Sequence, residues 1–318
     1  MQYRKNIHIN DQLIKAGERK VINLQIARLI SGTEIDLPIH VFRSKKAGPV
    51  ILLSGGLHGD EVNGIEIIRR IIESKVLNKL KCGSVIAIPV MNIYGFLNFS
   101  REVPDGKDIN RFFPGNKKGS LAARVAYNLT RTVLEEIDYG IDFHTGGANR
   151  TNYPQIRYAP DDPKARELAE IFNAPISLAS RMIDKSIRKE VFKMGKSMVV
   201  YEAGESMRFD EFAIKEGING ALKVLNHFGM LNEETTPNDC HDFSESSWRR
   251  ARNSGMVKLE KESGEFIKAG DLLAIITDPF ADFKTKIKAK EDGFIIGHNN
   301  APLVNQGDAL FHIATAKR

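Results

Sequence analysis

The sequence predicts an α/β protein: a mixed, mostly parallel sheet flanked by helices, followed by a small all-β module. Three observations carry that expectation. Short apolar runs bounded by glycine alternate with amphipathic helical patterns from about residue 34 to residue 229, as buried parallel strands joined by crossover helices do. A polar, proline-containing stretch, NEETTPNDC, follows near residue 232 and reads as a linker. Beyond it the helical period disappears, and short strand-like pieces alternate with glycine turns.

The elements can be justified in order. EIDLPIHVFR (34–43) alternates apolar and polar residues, the signature of a half-buried strand, and PVILLSGG (49–56) is a fully apolar run ending in Gly-Gly. DEVNGIEIIRRIIESKV follows with Val62, Ile65, Ile68 and Ile72 at helical spacing. SVIAIPV (84–90) is another buried strand, and SLAARVAYNLTRTVLEEI (120–137) an amphipathic helix opened by a Ser cap. YGIDF (139–143) is read as a strand, DPKARELAEIF (162–172) as a helix and KSMVVYEAG (196–204) as a strand. FDEFAIKEGINGALKVLNHFG (209–229) is a long helix stopped by glycine. Two parts are expected, residues 1–231 and residues 243–318.

Composition narrows the function. The chain has 318 residues, 42% hydrophobic and 27% charged, enough for a sizeable core and unlike a disordered or fibrous sequence. The 46 Lys and Arg against 40 Asp and Glu give +6, but the cations are not clustered with aromatics, so nucleic acid is not an expected partner. No apolar run approaches a membrane span, the first twenty residues lack an apolar signal core, and Cys82 and Cys240 are too distant for a CxxC site. A cytoplasmic protein is expected, with no membrane partner and with room for a homo-oligomer.

The chemistry gathers where apolar strands end. In SGGLHGDE, His58 and Glu61 lie three apart at a strand-to-helix seam, where one turn can aim both at a single point. Alone, HxxE is as well explained by solvated or capping residues. IDFHTGG places His144 at the end of a later strand, on the edge where ligands bind in open α/β sheets. Two His and one Glu make a three-ligand hydrolytic zinc site with one open position, so one Zn²⁺ per chain is expected. Asp142 could support His144 from behind, which strand alternation leaves open.

VVYEAGE adds a carboxylate at a third strand end. Glu202 is the candidate general base, because a Glu there costs desolvation unless paired or functional; Glu205, beyond the glycine, competes. The loop FSREVPDGKDINRFFPG supplies Arg101, suited to an oxyanion, and Asn110 with Arg111, suited to a substrate carboxylate.

GGLHGDE, DGKDINRFFPG, DFHTGG and YEAGE, in that order, resemble the succinylglutamate desuccinylase/aspartoacylase family of the zinc carboxypeptidase-like superfamily. The resemblance spans roughly residues 20 to 230. It implies His58, Glu61 and His144 as zinc ligands, Glu202 as catalytic glutamate, Asn110 and Arg111 on the substrate carboxylate and Arg101 on the scissile carbonyl. Arg101 stands further from the Asn-Arg pair than in aspartoacylase. Arg188 or Arg157 would meet the acyl side. The implied function is a deacylase acting on an N-acyl amino acid, with a carboxypeptidase acting on short or glutamate-tailed peptides as the neighbouring alternative. A non-catalytic binding protein on the same fold is the alternative of another class. The C-terminal part resembles a biotinyl/lipoyl-type barrel-sandwich module without an attachment lysine. Lys284 is the nearest candidate, and a lid or assembly role is expected instead.

Overall fold

The structure, a computed structural model, describes residues 6–28 and 30–315. The strands up to the first helix are β1 (Ile7–Ile9), β2 (Gln12–Ile14), β3 (Arg19–Arg28), β4 (Glu34–Arg43) and β5 (Val50–Gly55), followed by α1 (Val62–Glu73). Next come β6 (Ser84–Ile88), α2 (Ile93–Leu97), α3 (Leu121–Leu129), β7 (Tyr139–Gly146) and β8 (Arg150–Tyr158). Then α4 (Pro163–Phe172), β9 (Ile176–Ala179), α5 (Ile187–Lys193), β10 (Ser197–Glu205) and α6 (Glu211–His227) complete the α/β part. The remainder is all strand: β11 (His241–Phe243), β12 (Glu245–Arg250), β13 (Gly255–Leu259), β14 (Phe266–Ile267), β15 (Leu272–Thr277), β16 (Lys284–Lys288), β17 (Gly293–Asn299), β18 (Leu303–Val304) and β19 (Ala309–Thr315).

The expected fold class holds. A large mixed sheet runs β12-β19-β17-β8-β10-β7-β5-β6-β4-β3, with its parallel centre formed by β10, β7, β5 and β6. Every residue of β5 is buried, and its side chains alternate between two cores. Ile51 and Leu53 join α1, α4 and α6 on one face, and Leu52 joins α3 and α5 on the other. β7 and β10 are parallel to β5, so the three strand ends carrying the chemistry open on one edge. Beyond the sheet centre, β13, β15, β16 and β18 form a separate antiparallel sheet, packed on β17 and β19 through Leu273, Ile287, Ile295 and Phe311.

Several expectations are refined. The buried stripe of α1 is Gly64, Ile67, Ile68 and Ile71; Val62, Ile65 and Ile72 are only half-buried. The isoleucine pairs offer overlapping stripes, and the choice between them follows from Gly64, where a Cβ would stand 2.5 Å from the Phe143 carbonyl oxygen. The helix begun at Ser120 is regular only to Leu129, after which Thr130–Leu134 widens into a π turn. β8, β9 and α5 lie in stretches with no clear period. The C-terminal strands are also hydrogen-bonded into the main sheet, since β17 pairs with β8 and β11 with β9. Lys284 is an exposed residue of β16, and Cys82 and Cys240 carry free thiols. Among the described residues, no helix is long and apolar enough to cross a membrane.

A candidate metal centre at the strand ends

The chain leaves β5 through Gly56, whose φ of +57° is a left-handed turn that favours glycine. This turn brings His58 and then Glu61 to the start of α1. Glu61 occupies the cap position of that helix, yet its carboxylate makes no cap hydrogen bond. It points instead at both histidines: Oε1 lies 2.6 Å from His58 Nδ1, and Oε2 lies 2.8 Å from His144 Nδ1. The Thr145 amide donates to the same Oε2 at 3.1 Å. All three side chains are buried, at 3%, 2% and 5% exposure. Among the described residues, His58, Glu61 and His144 form a group whose donor atoms lie within 4.8 Å of one another and could hold a metal ion.

The far sides of the imidazoles are held as well. His144 Nε2 donates to Asp142 Oδ2 at 2.7 Å, and Asp142 Oδ1 accepts from the Ser54 hydroxyl at 2.7 Å. This orients the ring so that its Nδ1 lone pair faces Glu61, an acceptor facing an acceptor unless a proton or cation lies between them. His58 Nε2 lies 3.3 Å from Asp108 Oδ1, within ion-pair distance though outside hydrogen-bond geometry. Backing imidazoles with carboxylates is the arrangement that orients metal-binding histidines. The titration tendencies agree. Burial opposes charge on all three groups, yet the neighbouring imidazoles hold Glu61 below the usual carboxylate range. Carboxylates hold both histidines above theirs: Glu61 and Asp108 at His58, Asp142 and Glu61 at His144. A compact set of N and O donors that gathers positive charge suits a divalent cation such as zinc.

A cavity of about 700 Å³ opens over this group. Glu202 lines it, paired across the β10–β7 ladder with His144. Its Oε2 accepts from Asn152 Nδ2 at 2.9 Å, and its Oε1 lies 3.4 Å from Arg157 Nη1. Arg101 Nη1 stands 3.1 Å from His58 Nδ1 and 3.4 Å from Glu61 Oε1, while its Nη2 donates to Asp108 at 2.9 Å. Asn110 and Arg111 also line the cavity; the Ile187 amide donates to Asn110 Oδ1 at 2.9 Å, and Arg111 Nη1 donates to the Asn110 carbonyl at 2.7 Å. Arg188 is buried in the wall and donates to the Ser180 hydroxyl and to the carbonyls of Ser180 and Arg181. Burial, with Arg157 adding repulsion, pulls it down to about 10 against the attraction of Glu202 and Asp142, and the hydrogen bonds it donates go to these neutral acceptors. The structure therefore gathers His58, Glu61, His144, Glu202, Arg101, Asn110, Arg111 and Arg188 around one space. Glu205 lines a different cleft and pairs with Arg208 at 3.2 Å.

Sequence reasoning missed four residues. Asp108 caps the one-turn helix Ile109–Arg111, receives Arg101 and backs His58; its place two residues before Asn110 was the available signal. Asn152 lies in a strand with no readable period. Trp248 and His312 come from the C-terminal strands, stack with centroids 4.4 Å apart, and line the same cavity. No local pattern foretells that contact.

Comparison with known proteins identifies the family. The succinylglutamate desuccinylase/aspartoacylase catalytic-domain profile matches residues 47–228. The N-alpha-acetyl-L-2,4-diaminobutyric acid deacetylase of Halomonas elongata is 27% identical over 299 residues, 87% of this chain and 85% of that protein. A product-bound structure of the ectoine utilization protein from Ruegeria pomeroyi is 23% identical, with a TM-score of 0.86 over 98% of this chain and 100% of that one. A succinylglutamate desuccinylase from a Silicibacter species is 23% identical, with a TM-score of 0.86 over the full length of both chains. These two structures share the fold. With a family profile spanning more than half its length, the chain belongs to the succinylglutamate desuccinylase/aspartoacylase family.

Proposed function

We propose that this protein is a zinc-dependent amidohydrolase that cleaves the amide bond of an N-acyl amino acid. The observation that carries the reading is the buried convergence of His58, Glu61 and His144 beneath a cavity that also holds Glu202. His58 Nδ1, Glu61 and His144 Nδ1 would hold one zinc ion per chain, which when bound supplies Lewis acidity and a more acidic water at neutral pH.

The chain's own residues do the rest. Glu202 takes the proton of the attacking water and delivers it to the leaving nitrogen. Arg101, steadied by Asp108, keeps a guanidinium beside the donor group, where it stabilises the charge that develops on the carbonyl oxygen. Asn110 and Arg111 hold the carboxylate of the amino acid, and the Arg fork fixes its orientation. Arg188, a buried cation without a carboxylate partner in its hydrogen bonds, meets a further polar or anionic group of the substrate. In this reading residues 1–231 form the catalytic part and residues 243–318 a β module that walls the cavity with Trp248 and His312. The protein would work in the cytoplasm.

The Halomonas relative is a deacetylase of an N-acetylated diamino acid, which makes an acetyl group the first acyl group to try. The zinc-loaded protein should be assayed against Nα-acetyl-L-2,4-diaminobutyrate, N-acetyl-L-aspartate, N-succinyl-L-glutamate and a set of dipeptides. Turnover of an N-acyl amino acid in preference to the dipeptides is expected. Preference for dipeptides would replace the deacylase with a peptidase, and no turnover at all would remove the enzyme reading.

A further inference from the structure

We propose that strand β17 of the C-terminal module positions the Glu202 carboxylate through two arms, one of close packing and a hydrogen bond, the other of hydrogen bonds ending in an ion pair. The inference rests on the reading of Glu202 as the base.

The first arm starts at Gly297, which faces Asn152 in the β17–β8 ladder. A Cβ at Gly297 would lie 2.7 Å from Asn152 Oδ1, so the bare backbone is what lets the Asn152 amide sit where it does. From there Asn152 Nδ2 donates to Glu202 Oε2 at 2.9 Å. The second arm starts one residue earlier. The Ile296 carbonyl accepts from Gln155 Nε2 at 2.8 Å, and Gln155 Oε1 accepts from Arg157 Nε at 3.0 Å. Arg157 Nη1 then reaches Glu202 Oε1 at 3.4 Å. Adjacent residues of one C-terminal strand thus reach both oxygens of the same carboxylate, each through side chains of β8.

Burial makes the arms stiff. Gln155 is fully buried, Asn152 is 8% exposed, and Gly297 and Ile296 are buried. A buried amide without its partner is costly, so each link holds the next in place. Holding both oxygens fixes the rotation as well as the place of the carboxylate, and a base displaced by about an ångström loses on the order of a hundredfold in rate. Asn152 and Arg157 reach the Glu202 carboxylate and line the cavity; Gln155, which pairs with Glu202 along the β8–β10 ladder, and Gly297 do not line it, which makes them positioning residues and the informative places to perturb.

The test uses the full-length, zinc-loaded protein and the best N-acyl amino acid of the panel above. Gly297→Ala and Gln155→Met should each lower kcat about 10- to 100-fold, with KM and zinc content within about twofold of the parent. Gly297→Ala should add no further loss in an Asn152→Ala background, because the amide it displaces is already gone. The proposal is overturned if kcat stays within about twofold in both variants, if KM rises while kcat holds, or if the Gly297 and Asn152 effects multiply. Glu202→Gln, run alongside, separates the two claims. Full turnover there refutes the base itself, whereas its loss together with unchanged Gly297 and Gln155 variants refutes only the positioning.

Discussion

Replacing Asp142 with Asn isolates what the carboxylate behind His144 contributes. Asp142 is fully buried, with Oδ2 at 2.7 Å from His144 Nε2 and Oδ1 at 2.7 Å from the Ser54 hydroxyl. Asn is isosteric, and its amide can keep its oxygen toward His144 while its NH₂ donates to Ser54, so packing and hydrogen-bond count are preserved. Only the charge is lost. A hydrogen bond to a charged group contributes about 1.5–3 kcal/mol and a neutral one about 0.5–1.5 kcal/mol, so the imidazole loses about 1–2 kcal/mol of support when it must bear partial positive charge toward a cation. That corresponds to a zinc Kd raised about 5- to 30-fold. Competition against a chromophoric chelator at fixed pH reads this shift, with circular dichroism confirming an intact fold. A zinc affinity within about twofold of the parent, in a folded variant, would show that Asp142 does not tune this imidazole as a ligand.

Other predictions follow from the same geometry. His58→Ala should leave the protein folded but without stoichiometric metal after dialysis; retention of one zinc per chain would remove His58 from the ligand set. Glu202→Gln should abolish turnover while keeping the metal, measured by elemental analysis on the same sample as the assay. His312 titrates near 3, pushed down by burial and then by Arg157. Between that value and 6.5 the unfolded chain binds a proton that the folded chain does not, so stability falls as pH drops through 6.5. The loss reaches about 2 kcal/mol by pH 5. Denaturant midpoints for His312→Gln should therefore fall less on acidification than those of the parent, and parallel curves would contradict the assignment.

The candidate donors His58, Glu61 and His144 were legible because they stand where apolar strands end, where a buried imidazole or carboxylate needs a reason. The strands themselves were legible where both faces are buried, as in β5 and β6. β8 was not, although its side chains line the site. RTNYPQIRY is polar along the face that meets the cavity, and Pro154 argues against a strand. The structure places Pro154 beside the register shift of the β8–β10 ladder, between the pairing of Asn152 with β17 and that of Gln155 with β9, where the lost N–H matters least. Trp248 and His312 were illegible for a different reason. Their place over the cavity depends on strand pairing across well over a hundred residues, which no local period encodes. The buried stripe of α1 was decided by how closely Gly64 approaches β7, a contact visible only in three dimensions.

The pairing of β17 with β8 has a practical side. One edge of β8 is shared between β17 along its first half and β9 along its second. A chain stopped after residue 231 would lose β17 and leave the amides and carbonyls around Asn152 unpaired at the mouth of the cavity, an open invitation to another molecule's strand. Truncation should therefore yield a sticky, self-associating fragment rather than a minimal enzyme. Anyone shortening this protein for crystallisation or display would do better to trim its outer hairpins than to cut at the linker.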